Sequence, residues 1–130
     1  MKKSSLTFAI VEDNVDLCLL WGKIFSNRGH QVRCYYSASA ALNDMDRIAQ
    51  ANVIVADYRL PDMNGIELVA KLRARQPNLP AVVLTAVREP SLSEDVRRLR
   101  QAVLVQKPVD IEALETAVYD LLNTTEMPRA

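Results

Sequence analysis

Five side chains in this sequence have the types and the placement to do chemistry together: Glu12, Asp13, Asp57, Thr85 and Lys107. They fall at or just past the ends of short apolar runs, Leu6–Val11, Val53–Ala56, Ala81–Leu84 and Ala102–Val105. Three carboxylates brought close repel one another, and one takes up a proton unless a cation holds them apart. A hard divalent ion with oxygen ligands answers that need. Magnesium suits it, because water and phosphate complete its octahedron where protein ligands are few. Lys107 offers a compact positive charge on a flexible stem, fitted to neutralise a phosphoryl oxygen. Thr85 can donate a hydrogen bond to another such oxygen. One carboxylate can then act as nucleophile and form an acyl phosphate, with metal and lysine stabilising the charge on the transferring group.

Taken singly, each residue has a plainer reading. Asp57 could cap a turn, Glu12 and Asp13 could be acidic charges at a helix N-terminus, Thr85 could be structural and Lys107 a solvated charge. Their shared position at strand ends argues against that. Apolar runs alternate with amphipathic segments five times, Val32–Tyr36 being the remaining run. Four runs are almost continuously apolar, as in parallel strands covered on both faces, while Val32 and Cys34 alternate with polar neighbours as in an edge strand. Five strand–helix alternations predict an open α/β sheet with right-handed crossovers. In such a sheet the strand C-termini share one edge, where ligands bind at the switch point of the topology.

The intervening segments carry helical spacing. Leu17, Leu20, Ile24 and Phe25 mark the first helix, closed by Gly29, a residue free to adopt the left-handed conformation. Ser37 is placed to cap a second helix containing Leu42, Met45 and Ile48. A third is expected from Asn64–Gly65 through Leu68 and Leu72, stopping before Pro77. Leu92, Val96 and Leu99 mark a fourth, and a fifth opens at Asp110 and runs through Ile111, Leu114, Val118 and Leu121. Residues after Leu122 are polar and read as a frayed tail or linker stub, giving a domain over 1–124 and a tail over 125–130.

Composition narrows the function. The chain has 130 residues, enough for one domain with a real core. Sixteen basic residues balance sixteen acidic ones, so no bulk field draws the molecule to nucleic acid or anionic lipid. The run Leu6–Val11 is too short for a signal peptide and far too short to span a bilayer, so the sequence reads as cytoplasmic, with no membrane or direct nucleic-acid partner expected. Cys18 and Cys34 lack CxxC spacing and read as free buried thiols rather than a disulfide or metal site. His30 follows Gly29 in an expected turn and reads as a surface residue. Trp21 and Phe25 read as packing, and Arg97, Arg98 and Arg100 as a solvated face.

The ordered set Val11-Glu12-Asp13-Asn14, the segment Asp57 to Gly65, Leu84-Thr85-Ala86 and Lys107-Pro108 resembles the receiver domain of two-component response regulators, over about residues 6 to 122. The resemblance implies a doubly wound (βα)5 flavodoxin-like fold with strand order 2-1-3-4-5. It implies that Asp57 accepts a phosphoryl group. Asp13 would bind Mg2+ directly, with Asp57 and the backbone carbonyl of Arg59, while Glu12 would act mainly through a water. Thr85 and Lys107 would contact the phosphoryl oxygens, and the Lys107–Pro108 bond would be cis. The donor would be a sensor histidine kinase or a histidine phosphotransfer protein, docking near the first strand's end and first helix. The face of the fourth helix, fifth strand and fifth helix would change its preference for an output protein or domain, and could also pair two copies. Such a domain is no ordinary enzyme, although it assists its own phosphorylation and dephosphorylation.

Three departures from the pattern bear on function. Leu104 stands where receivers commonly carry Tyr or Phe. The stretch from Arg97 to Ala102 lacks the glycine often found after the fourth helix. Arg59 and Val87 occupy positions that tune acyl-phosphate lifetime in the family. The alternative function is a phosphorylation-independent interaction module on the same fold, supported by Leu104. An aspartyl-phosphate phosphatase would want a second aspartate where Arg59 stands, and a nucleotide binder would want a glycine- or hydroxyl-rich loop in place of Glu12-Asp13-Asn14-Val15.

Overall fold

Two of the five apolar runs are wholly buried and a third, Leu6–Val11, is buried at all but Thr7, and that enclosure organises the molecule. The computed structural model describes residues 5–86, 88 and 90–126, with side chains as far as Asn123. The strands are β1 (Thr7–Val11), β2 (Gln31–Tyr35), β3 (Val53–Asp57), β4 (Ala81–Thr85) and β5 (Ala102–Gln106). They form one parallel sheet in the order β2-β1-β3-β4-β5. The expected fold and strand order are therefore those observed. The helices are α1 (Val15–Asn27), α2 (Ala38–Leu42), α3 (Met45–Ile48), α4 (Gly65–Leu72), α5 (Pro90–Leu99) and α6 (Ile111–Glu126).

Alternate residues of the central strands feed two separate cores. Ala9, Val11, Ile54, Ala56 and Ala81 pack with Ile48, Leu68, Val69 and Leu72 from α3 and α4. Phe8, Ile10, Val53, Val55, Val82 and Leu84 pack with Cys18, Trp21 and Phe25 of α1 and with Leu114 and Val118 of α6. Each fully buried aliphatic or aromatic side chain contributes roughly 1.5–3 kcal/mol, so β1, β3 and β4 are held in place by both layers. β2 is the expected edge. β5 is the other edge, its residues Ala102–Val105 only half-buried, so its apolar run does not mark double burial.

The structure departs from several sequence expectations. The second helix is split. Ser37 caps it as expected, accepting from Ala40 N at 3.0 Å, but the chain leaves the helical region at Asp44 (φ −124°, ψ 32°). The Asp44 carboxylate is engaged instead by the Tyr35 hydroxyl at 2.5 Å. On α1 the buried stripe is Cys18, Trp21 and Phe25, whereas Leu20 faces outward at 54% exposure. α6 extends through Asn123 to Glu126, past the expected end of the last helix.

His30 is buried, not on the surface. Its Nδ1 accepts from Leu6 N at 3.0 Å, so the ring proton sits on Nε2, which donates to Glu115 Oε2 at 2.9 Å. Glu115 Oε1 in turn accepts from Arg28 Nη2 at 2.8 Å and Nε at 3.2 Å. Phe8, Phe25 and Tyr119 surround the imidazole. Gly29 does adopt the left-handed region expected of it (φ 94°). Where the fourth expected helix lacks its glycine, Arg100 (φ 63°) and Gln101 (φ 48°) both take left-handed backbone. That conformation costs a non-glycine residue roughly 1–2 kcal/mol. The Arg73 guanidinium braces this turn, donating to the carbonyls of Leu79, Leu99 and Gln101. Burial lowers the pKa of Arg73 from its ordinary value.

Candidate functional site

The sheet brings the chemistry-bearing residues to one edge because each strand ends in register with its neighbour. Asp57 lies opposite Leu84, and Thr85 lies opposite Gln106. Backbone hydrogen bonds then carry the ladder one step beyond the strands: Glu12 N to Tyr35 O at 2.9 Å, Tyr58 N to Leu84 O at 2.7 Å, and Lys107 N to Thr85 O at 2.7 Å. The Lys107–Pro108 peptide is cis, as the family resemblance implied.

Four of the expected residues meet. Carboxylate oxygens of Glu12, Asp13 and Asp57 lie within 4.8 Å of one another. Lys107 Nζ reaches Asp57 Oδ2 at 3.1 Å and Glu12 Oε1 at 3.3 Å. Glu12 and Asp57 are buried while Asp13 is exposed, so the cluster opens to solvent on the Asp13 side. Thr85 is buried at the end of β4 next to Asp57's strand. Arg59 lies in the loop after β3 with an exposed side chain, and its backbone pairs with Asn64. Val87 lies outside the described residues.

Charge density perturbs the cluster. Burial raises the pKa of Glu12 and the Asp57 charge adds to the rise, opposed by the Asn14 N–H and by Lys107. Burial alone would lower Lys107, but the hydrogen bond and charge of Asp57, with those of Glu12, outweigh it and raise its pKa. One ammonium thus faces three carboxylates, and the imbalance is what a hard divalent cation relieves.

Residues that sequence reading gave no specific role hold this arrangement. Asn14 donates its N–H to Glu12 Oε2 at 3.0 Å and accepts from Leu17 N at 3.0 Å, orienting the carboxylate and capping α1 with one residue. Asn64 and Glu67 form a reciprocal capping box that starts α4. The adjacent Gly65 is required by space: a Cβ there would stand 2.5 Å from the Asp57 carbonyl oxygen. Asp62, in the same loop, accepts from Ala38 N at 3.1 Å and Ser39 N at 2.8 Å, linking the Asp57 loop to α2. Backbone N–H groups of Ser39 and Ala38 lower its pKa against partial desolvation. An asparagine directly ahead of a helical segment is the signal that could have found Asn14 and Asn64 as caps; nothing local marks the close approach of Gly65 to residue 57.

Residues 8–119 match the model of the response regulator receiver domain family. Transcriptional regulatory protein GlrR of Escherichia coli (strain K12) is 30% identical over 88% of this chain, which spans only 26% of that protein. Sporulation initiation phosphotransferase F of Bacillus subtilis (strain 168) is 24% identical over 87% of this chain and 90% of its own length. Among solved structures, a CheY-like receiver domain protein from Methanospirillum hungatei superposes with a TM-score of 0.81 at 24% identity, covering 95% of this chain and 98% of its own. A two-component response regulator from Clostridium difficile gives 0.84 at 19% identity, covering 95% and 100% respectively.

Proposed function

The chain belongs to the response regulator receiver domain family, and we propose that it is a phosphorylation switch whose acceptor is Asp57. A receiver is a signalling domain rather than an ordinary enzyme. The observation that supports this acceptor is the contact of Lys107 Nζ with Asp57 Oδ2 at 3.1 Å, within a carboxylate cluster at the sheet edge. Asp57 is the carboxylate that ends a central strand, beside Thr85 and facing the lysine.

The donor set of Glu12, Asp13 and Asp57 fits a hard divalent ion. Asp13, Asp57 and the Arg59 carbonyl would hold Mg2+, with Glu12 acting mainly through a water; when bound, the ion would supply charge neutralisation to the transferring group. An Asp57 carboxylate oxygen attacks phosphorus, and the donor's leaving group departs in line. Lys107, freed from the ionised carboxylate by that bond, follows a phosphoryl oxygen with its ammonium. Thr85 turns its hydroxyl toward a second oxygen. Glu12 keeps the lysine oriented through its 3.3 Å contact.

The donor in this reading is a sensor histidine kinase or histidine phosphotransfer protein, and the recipient of the signal is an output protein or domain. The response travels through α5, β5 and α6, the face that would also join two copies. Leu104, level with Val83 on β4, is half-buried and takes the place of the usual aromatic readout by repacking. Phosphorylation has only to bias two packings separated by about 1–3 kcal/mol. Direct nucleic-acid contact has no part in the scheme. Among the described residues no helix is long and apolar enough to cross a membrane.

Intact-protein mass after incubation with a small phosphodonor tests the proposal. One phosphoryl group should be gained only with magnesium present and Asp57 intact, and Asp57→Asn should gain none. A folded wild-type chain that gains none would instead favour a phosphorylation-independent interaction module.

A further inference from the structure

Away from the acidic cluster, α1 and β2 bring the two cysteines of the chain together. Cys34, on β2, is half-buried, and its thiol donates to the Cys18 carbonyl of α1 at 3.3 Å. Cys18 is fully buried, with its sulfur 4.0 Å from the Ile10 carbonyl on the strand that pairs with Cys34. The two thiols lie near enough to perturb each other's ionisation. Gly22, one helical turn after Cys18, also lies beside the Cys34 sulfur, which would stand 3.8 Å from a Cβ there. The Cys34 sulfur thus touches the backbone of the residue that carries the second thiol, and Cys34 is within reach of solvent.

We propose that Cys18 and Cys34 are a redox-modification site, joining as a reversible intrachain disulfide when the chain meets a peroxide. The pair is chemically unequal, as such a reaction requires. The neighbouring Cys18 thiol lowers the pKa of Cys34 against the effect of its burial, whereas the Cys34 thiol and burial push Cys18 far up. Cys34 is therefore the thiol that ionises first. Its thiolate attacks a peroxide oxygen, the O–O bond breaks, and the departing oxygen takes up a proton and leaves as water or alcohol. Cys34 is then a sulfenic acid. The Cys18 sulfur attacks the Cys34 sulfur; the S–O bond breaks, and the hydroxyl leaves with the Cys18 proton as water. The two thiols have lost two electrons and the peroxide has gained them.

The bond would tie together the two elements that carry the acidic loop. α1 begins at Val15, directly after Asp13 and its cap Asn14, and the Tyr35 carbonyl next to Cys34 holds the Glu12 N–H.

The test is intact mass and peptide mapping of the full chain after exposure to hydrogen peroxide and alkylation of the remaining thiols. Trypsin cuts at Lys23, Arg28 and Arg33, so the two cysteines fall in different peptides. The expected result is a loss of two hydrogens, with the Cys18 and Cys34 peptides joined by a link that dithiothreitol splits. In Cys18→Ser, Cys34 should instead be trapped by dimedone as the sulfenic acid. A folded wild-type chain whose cysteines both remain alkylatable would overturn the proposal, as would a link formed only between two chains. The wild-type map decides the matter by itself, whether or not the serine variant folds.

Discussion

Where the strands of this sheet end, one lysine faces three carboxylates; where they begin, two basic side chains close on one. Lys107 lies between Glu12 and Asp57 with Asp13 alongside, open to solvent. At the opposite edge Glu115 accepts from both Arg28 and His30, and the His30 ring is packed among aromatics. Arg73 belongs to that second pattern, its guanidinium given over to backbone carbonyls ahead of β4 and β5. The two edges use similar side chains to opposite ends. A balanced cluster holds elements together, whereas an excess of one charge leaves a site that a cation and a phosphoryl group can complete.

Substitutions should separate the edges, with stability lost at one and function lost at the other. Glu115→Ala removes the acceptor of both basic partners and should cost up to about 3 kcal/mol, the range for leaving a buried donor, here His30 Nε2–H, unsatisfied. Urea unfolding measures it, and a variant as stable as wild type would break the contrast. Arg73→Met should cost about 2 kcal/mol by releasing three carbonyls at the strained turn. Adding Gln101→Gly should return part of that, since glycine accepts the left-handed backbone without penalty.

A smaller effect is expected in alkali. Burial, with the hydrogen bond and charge of Asp44, pushes the Tyr35 hydroxyl up to about 12. A raised folded-state pKa means that its contribution is complete below the unfolded value of about 10 and is lost as pH rises through 12. Tyr35→Phe should flatten the fall in stability between those values, worth about 2 kcal/mol. An unchanged alkaline profile would remove Tyr35 from the account. The smallest stability change belongs to the site itself. On the proposed assignment magnesium should raise the wild-type melting temperature, and Asp13→Asn should lose that rise while its own melting temperature stays unchanged or increases. A destabilised variant that still responds to magnesium would erase the distinction between the edges.

The sequence revealed the carboxylate edge more fully than the opposite one, for a physical reason. Parallel strands buried on both faces read as apolar runs, and whatever polar residue ends a run must lie at the common edge. Glu12, Asp57, Thr85 and Lys107 were therefore legible without knowing any contact. His30 was not, because its partner Glu115 lies 85 residues away. Nothing local marks such a pair, and Gly29 before it pointed to a turn. Arg73 was hidden likewise, bracing carbonyls up to 28 residues distant. The second helix looked continuous by its apolar spacing, and the residue at the break, Asp44, is held by Tyr35 from β2, a contact that helical periodicity does not register. The run at β5 looked doubly covered because hydropathy does not distinguish an apolar edge strand from a central one.

The most direct test of the central claim is the identity of the residue that carries the phosphoryl group. After transfer from a small phosphodonor with magnesium, borohydride reduces an aspartyl phosphate to homoserine, which peptide mapping locates. The account predicts homoserine at position 57 and at no other acidic position. Modification at Asp13, or a folded chain with no reduced residue, would contradict it.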